Sequence, residues 1–210
     1  MKKRILSMFL VLTMVGSIIL NVGPTSHASA AKTAMGITDK TELLKARAVW
    51  MNSGRTIDER VNALLSAMTL EEKAAQMVQP EQNSDITPEL AGEYSVGSVL
   101  SGGGSAPESG NSPKDWANRV NAYKKAALNS RLGIPLIYGV DGVHGHNNVR
   151  DTVIFPHNIG ISASGNVSLA KEIGAIAAKE IRGTGIQWTF APTLGVAYNE
   201  RWGRFYESFG

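Results

Sequence analysis

The residues best equipped for chemistry lie in two short stretches. "IYGVDGVHGHNN", from Ile137 to Asn148, sets Asp141, His144 and His146 among glycines directly behind an apolar run. "RWGRFYES", from Arg201 to Ser208, adds two guanidinium groups, Trp202, Tyr206 and Glu207. Four kinds of chemistry compete for such groups: a metal site, a phosphate loop, a sugar-binding edge and a plain polar turn. A metal would draw on His144, His146, Asp141 and His157 as a nitrogen and oxygen set. Two histidines two residues apart share a side only while a strand continues, and Gly142 and Gly145 mark the end of this one. His157, in "FPHN", reads better as a structural hydrogen-bonder, so the expectation is no metal. Phosphate fares no better. Gly102-Gly103-Gly104 lacks a following Gly-Lys-Ser/Thr, and Gly139, Gly142 and Gly145 do not have dinucleotide spacing.

A sugar asks for a different inventory. Neighbouring ring hydroxyls both donate and accept, so one carboxylate can accept from two of them, and a guanidinium can donate to their oxygens or orient that carboxylate. Asp141 suits the first role, and Arg204 or Arg201 the second. Trp202 or Tyr206 offers a flat face for the C–H side of a ring. The triple glycine divides between a flexible turn and a close approach of backbone to ligand. On residue types alone, the reading ends at a ligand-binding α/β enzyme half.

These groups need elements to position them. Three apolar runs read as buried strands: Val96 to Leu100, Ile134 to Val140 and Ile186 to Ala191. Helical patterns lie before and between them. Val61, Leu64, Leu65 and Met68 form one stripe. Thr69 and Glu72 make a capping box before Leu70, Ala74, Met77 and Val78. Ser112-Pro113 opens a helix with Trp116, Val120, Tyr123 and Ala127 on one face. Asn166 or Ser168 opens another, with Leu169, Ile173, Ile176 and Ala177 inward and Gly183 as its stop. Continuous apolar strands alternating with helices indicate a parallel α/β sheet. The polar stretches then follow the carboxyl ends of the strands, where such folds build binding sites.

Composition narrows the classes further. Lys2, Lys3 and Arg4, the apolar run Ile5 to Val22 and Ala28-Ser29-Ala30 have the order of a signal peptide over residues 1–30. The run is close to the length of a short membrane span, but Gly16 and Asn21 interrupt it. Cleavage would leave no membrane anchor and place the chain outside the cytoplasm, secreted or periplasmic. It also removes 3 basic and no acidic residues, so 21 − 3 = 18 Lys and Arg face 18 Asp and Glu. The net charge of +3 belongs to the leader, and a basic-surface case for nucleic acid lapses. With no cysteines, stability must come from a core. Residues 31–57 are polar and mixed and carry no assigned element.

Four segments appear in order: "LLSAMTLEEKAAQMVQ", "VGSVLSGGGS", "SRLGIPLIYGVDGVHGHNNVRDTVIFPHNIG" and "TGIQWTFAPTLGVAYNERWGRFYES". Together they resemble the amino-terminal part of glycoside hydrolase family 3, in its secreted β-glucosidase and β-glucan exohydrolase branch. The resemblance implies that residues 58–210 are part of a (β/α)8 TIM-like barrel, holding about three βα units. It implies retaining, exo-acting hydrolysis of terminal β-D-glucosyl residues from β-glucosides or β-glucan oligosaccharides, with no cofactor and a carbohydrate as the partner. Asp141 corresponds to the aspartate that grips the innermost sugar and Arg204 to a second ligand of that sugar. His144 corresponds to a structural histidine, and the Ser101–Ser105 loop to one bordering the pocket.

The resemblance also implies an absence. The family's nucleophilic aspartate and acid/base glutamate lie carboxyl-terminal to "RWGR", so no catalytic residue is expected between Met1 and Gly210. A retaining glycosidase needs two carboxyls about 5–5.5 Å apart, and Glu207 is not promoted to fill either role. Residues 31–210 alone are therefore expected to be inactive and to fold poorly, with a bare strand edge. The competing class is a non-catalytic secreted fragment that binds a sugar or a protein partner.

Overall fold

A computed structural model describes residues 35–210. The signal-peptide reading of residues 1–30 lies outside the described residues. Contacts divide the chain into two compact units, with the boundary after Leu70. No helix among the described residues is long and apolar enough to cross a membrane.

The first unit contains α1 (Lys40–Trp50) and α2 (Ile57–Ala67). Asp39 caps α1, its Oδ1 accepting from Glu42 N at 2.9 Å. Thr56 and Glu59 form a reciprocal capping box on α2, which satisfies two backbone donors that the first helical turn leaves open. Of the stripe expected on α2, Met68 is buried at its carboxyl end, whereas Val61 and Leu65 are nearly half exposed. What closes over that end is the 36–37 segment, where Ile37 N donates to Ala67 O at 3.1 Å.

In the second unit the strands are β1 (Ser98–Ser101), β2 (Ile137–Val140) and β3 (Trp188–Thr189). They pair in parallel and in chain order. A short extended piece continues that order on the other side of β1, where Glu81 bridges Leu100 and Gln82 N donates to Leu100 O at 2.8 Å. Parallel strands laid down one after another without reversal are the winding of a barrel, whereas a doubly wound sheet changes direction at a switch point. The architecture is part of a (β/α)8-like barrel.

Helix α3 (Leu70–Ala75) precedes β1. It begins directly after Thr69, as expected, but stops after six residues. Gly97 N takes up Ala75 O at 3.1 Å, and Gln76 Nε2 reaches Ser95 O at 2.6 Å. Met77 and Val78 thus fall outside the helix and are exposed, which corrects their placement on its inner face. Gly97 is required here, because a Cβ at this position would lie 2.1 Å from Gln76 O.

Helices α4 (Pro88–Glu93) and α5 (Pro113–Leu128) pack against one another and cover β1 and β2. Ser112 and Asp115 form the α5 capping box, and Pro113 occupies its first turn. Trp116, Val120, Tyr123 and Ala127 are all buried, as their spacing predicts. They form one core cluster with Val99, Tyr138, Val140 and Ile186. Inside it the Tyr138 hydroxyl sits 2.8 Å from Ser101 Oγ and donates to Gln82 Oε1 at 3.2 Å, so the ring is buried without an orphaned polar group.

Helices α6 (Asn158–Ala163) and α7 (Val167–Gly183) lead to β3. Asn166 caps α7, its Oδ1 accepting from Leu169 N at 3.0 Å. The α7 face turned to the strand ends runs through Ala170, Ile173, Gly174, Ala177, Ala178 and Ile181. Ile173 and Ala177 lie where they were expected, but Leu169 and Ile176 are about 40% exposed. Small side chains on that face leave an apolar cleft of about 300 Å³ against Gly142–Gly145, Thr189 and Pro192.

Candidate functional site

Asp141 is placed by strand register. Ser101 pairs with Val140, and the Asp141 N–H extends the ladder by donating to Ser101 O at 3.2 Å. The carboxylate therefore leaves β2 beside the loop that follows β1. There, Gly103 N donates to Asp141 Oδ2 at 3.2 Å. Asn148 holds the same loop from the other side: its Nδ2 donates to Gly102 O at 3.1 Å, and its Oδ1 accepts from Gly104 N at 3.4 Å. A Cβ at Gly103 or Gly104 would meet nothing within 4 Å. Of the two readings of the triple glycine, the loop is pinned next to a carboxylate with its own outer surface open.

The Arg201–Ser208 stretch returns to this edge. Asn158 Nδ2 donates to Glu207 O at 2.7 Å, and the His157 and Tyr206 rings meet edge to face at 4.6 Å between centroids. Arg204 lies just before the 3-10 turn Phe205–Glu207. Its guanidinium is forked onto Glu207, with Nη2 at 2.6 Å from Oε2 and Nε at 3.0 Å from Oε1. The hydrogen bonds and charge of Glu207 hold the guanidinium pKa above its ordinary value, and the negative charge of Asp141 pushes the same way. Asp141 and Arg204 are thus brought within each other's electrostatic reach. Arg201 is exposed and placed by its backbone, which donates to Asn199 Oδ1. Arg204, forked onto Glu207, is the arginine whose side chain is anchored at this edge.

Glu207 is the residue that sequence reasoning underrated. Its side chain is 8% exposed, and the Arg204 hydrogen bonds hold its carboxyl below the usual range against the opposing effect of burial. An ionised carboxylate locked to a guanidinium is a poor proton donor. The signal for it was the Arg-x-x-Glu spacing, which also fits an ordinary surface pair.

The histidines separate. His144 Nδ1 lies 2.8 Å from Phe155 O while Phe155 N donates to His144 O at 2.9 Å, so this residue ties the loop to itself. Its ring lies against that of His157, tilted by 34° with 4.2 Å between centroids. His146 turns the other way, into the core, with Nε2 at 2.8 Å from Thr184 Oγ1 and its ring against Trp116. Its orientation takes it out of any set with His144. The described residues contain no group of three or more metal-ligating side chains. The apolar cleft beside α7 is lined by neither Asp141 nor Arg204, so the polar edge is the chemically equipped one.

Residues 69–210 match the model of the glycosyl hydrolase family 3 N terminal domain. The chain belongs to glycosyl hydrolase family 3. A lysosomal beta glucosidase of Dictyostelium discoideum is 34% identical over 173 residues, covering 73% of this chain and 21% of that protein. A periplasmic beta-glucosidase of Salmonella typhimurium is 31% identical over 157 residues, covering 73% of this chain and 18% of its own length. Among solved structures, the exo-1,3/1,4-beta-glucanase of a Pseudoalteromonas species superposes with a TM-score of 0.65 at 37% identity, over 84% of this chain and 21% of that one. This family 3 chain spans about a fifth of the length of the relatives it matches.

Proposed function

We propose that the protein to which this family 3 chain contributes is a retaining, exo-acting β-glucosidase, and that residues 58–210 supply part of its innermost glucose subsite. Asp141 accepts from neighbouring sugar hydroxyls and Arg204 donates to the same ring. What supports this reading is that the Asp141 charge reaches Arg204 at the carboxyl edge of the sheet and helps to raise the guanidinium pKa, with the Asp141 carboxylate held by the Gly103 N–H. The beta-glucosidase and exo-beta-glucanase names of the relatives supply the substrate class. The nucleophile and the acid/base belong to family positions beyond "RWGR". The leader-like residues 1–30 and the periplasmic Salmonella relative favour a location outside the cytoplasm.

In the product of the complete open reading frame, Asp141→Ala should lower kcat/KM on an aryl β-glucoside by about 100-fold or more. Hydrogen bonds to ring hydroxyls strengthen as the oxocarbenium-like transition state forms, and each charged one contributes about 1.5–3 kcal/mol. Arg204→Ala should lower it by about tenfold or more for the same reason. Unchanged kcat/KM in the Asp141 variant, with thermal stability intact, refutes the subsite.

A further inference from the structure

Among the described residues, Arg204 is anchored on one side only. A guanidinium carries five N–H donors in a rigid fork. Glu207 engages the Nε edge, with Nε at 3.0 and 3.1 Å from its two carboxylate oxygens and Nη2 at 2.6 Å from Oε2. That leaves both hydrogens of Nη1 and the second hydrogen of Nη2 outside the fork, on the opposite edge. The two partners differ sharply in exposure, 61% for the arginine side chain against 8% for the glutamate. An arginine this open would otherwise range over many rotamers, and ordering it on a ligand would weaken binding. Glu207 has little such freedom. Its N–H donates to Arg204 O at 3.1 Å, and its carbonyl accepts from Asn158 Nδ2, which is itself buried at the start of α6. The anchor is buried, and the arginine hangs from it.

We propose that Glu207 is a positioning residue, a buried carboxylate that pre-orients the Arg204 guanidinium so that its free N–H edge meets the hydroxyls of the ring held by Asp141. This rests on the reading of Arg204 as a sugar ligand. Glu207 itself touches no reacting atom, and its role is to remove the cost of ordering Arg204 each time a sugar binds.

The test is competitive inhibition by glucose in the product of the complete reading frame, measured for Glu207→Gln, Arg204→Ala and the double variant. Glutamine keeps the shape and removes the charge that makes the fork strong. Glu207→Gln should raise the glucose inhibition constant about tenfold on its own and by less than about twofold in the Arg204→Ala background, because the residue acts through that arginine. A purely structural role would lower the melting temperature without moving the inhibition constant, or would move it equally in both backgrounds; either result overturns the inference. If Arg204→Ala weakens glucose and Glu207→Gln does not, the positioning role fails and the sugar subsite stands. If Arg204→Ala leaves glucose inhibition unchanged, both fail. Should the glutamine variant not be recovered folded, Glu207→Asp, with the charge kept and the reach shortened, should show the same Arg204-dependent loss, and an unchanged constant would overturn the inference.

Discussion

His146, two residues beyond His144, is fully buried against Trp116 and Thr184, and its Nδ1 has no hydrogen-bond partner among the described residues. Burial pushes its pKa down to about 4. Between about pH 6.5 and 4, the unfolded chain takes up a proton that the folded chain refuses, so stability falls as the pH drops through that window. Above it neither state is protonated, and below it the loss levels off. The total is on the order of 3 kcal/mol. Urea denaturation at about pH 7 and about pH 4.5 measures it, with His146→Gln as the reference that removes this contribution and leaves those of the acidic residues. Equal pH dependence in the two proteins would contradict the account. Glu207 illustrates the opposite balance: burial opposes its charge, and Arg204 outweighs burial.

At the scale of elements, α5 is the piece that fastens β1 and β2 together. Trp116 is fully buried on it, donates from Nε1 to Asn111 Oδ1 at 2.7 Å and stands edge-on to His146. Trp116→Ala should cost about 3–5 kcal/mol, read as a large fall in denaturation midpoint; a loss under about 1 kcal/mol would mean that the α5 face is not core. This helix was legible in the sequence because cap, proline and a bulky apolar stripe all agree. Helix α7 was legible in its ends and in Ile173 and Ala177, but not in the rest of its inner face. Its bulky Leu169 and Ile176 suggested an inward face, yet the chain turns Ala170, Gly174 and Ala178 to the strand ends instead, and size-weighted patterning misses a face made of small residues. The α1 cap, Asp39-x-x-Glu42, lies within residues 31–57, to which the sequence reading assigns no element, and the α2 cap, Thr56-x-x-Glu59, spans the boundary to the stripe read as a helix. The position of Asp141 behind β2 was legible because it ends an apolar run. Glu207 could not, because its burial depends on Asn158, 49 positions away.

At the scale of the whole molecule, the chain-order parallel sheet carries the candidate site on one edge and leaves the outer side of β3 without a strand partner among the described residues. Trp188 and Phe190, on and just after β3, are in mutual contact over Gly139 of β2 and are 41% and 36% exposed. An open apolar edge is a template for association, so residues 31–210 prepared alone should self-associate across micromolar concentrations in sedimentation velocity and show no turnover of an aryl β-glucoside. A monodisperse, active monomer would contradict this. The central claim is that one carboxylate and one guanidinium, delivered by different loops, hold a single monosaccharide. A crystal structure of the complete protein with glucose tests it most directly. The account predicts one ring at the carboxyl edge of the sheet, with hydroxyl oxygens within about 3 Å of both the Asp141 carboxylate and the Arg204 guanidinium; a glucose bound elsewhere, or touching neither residue, would contradict it.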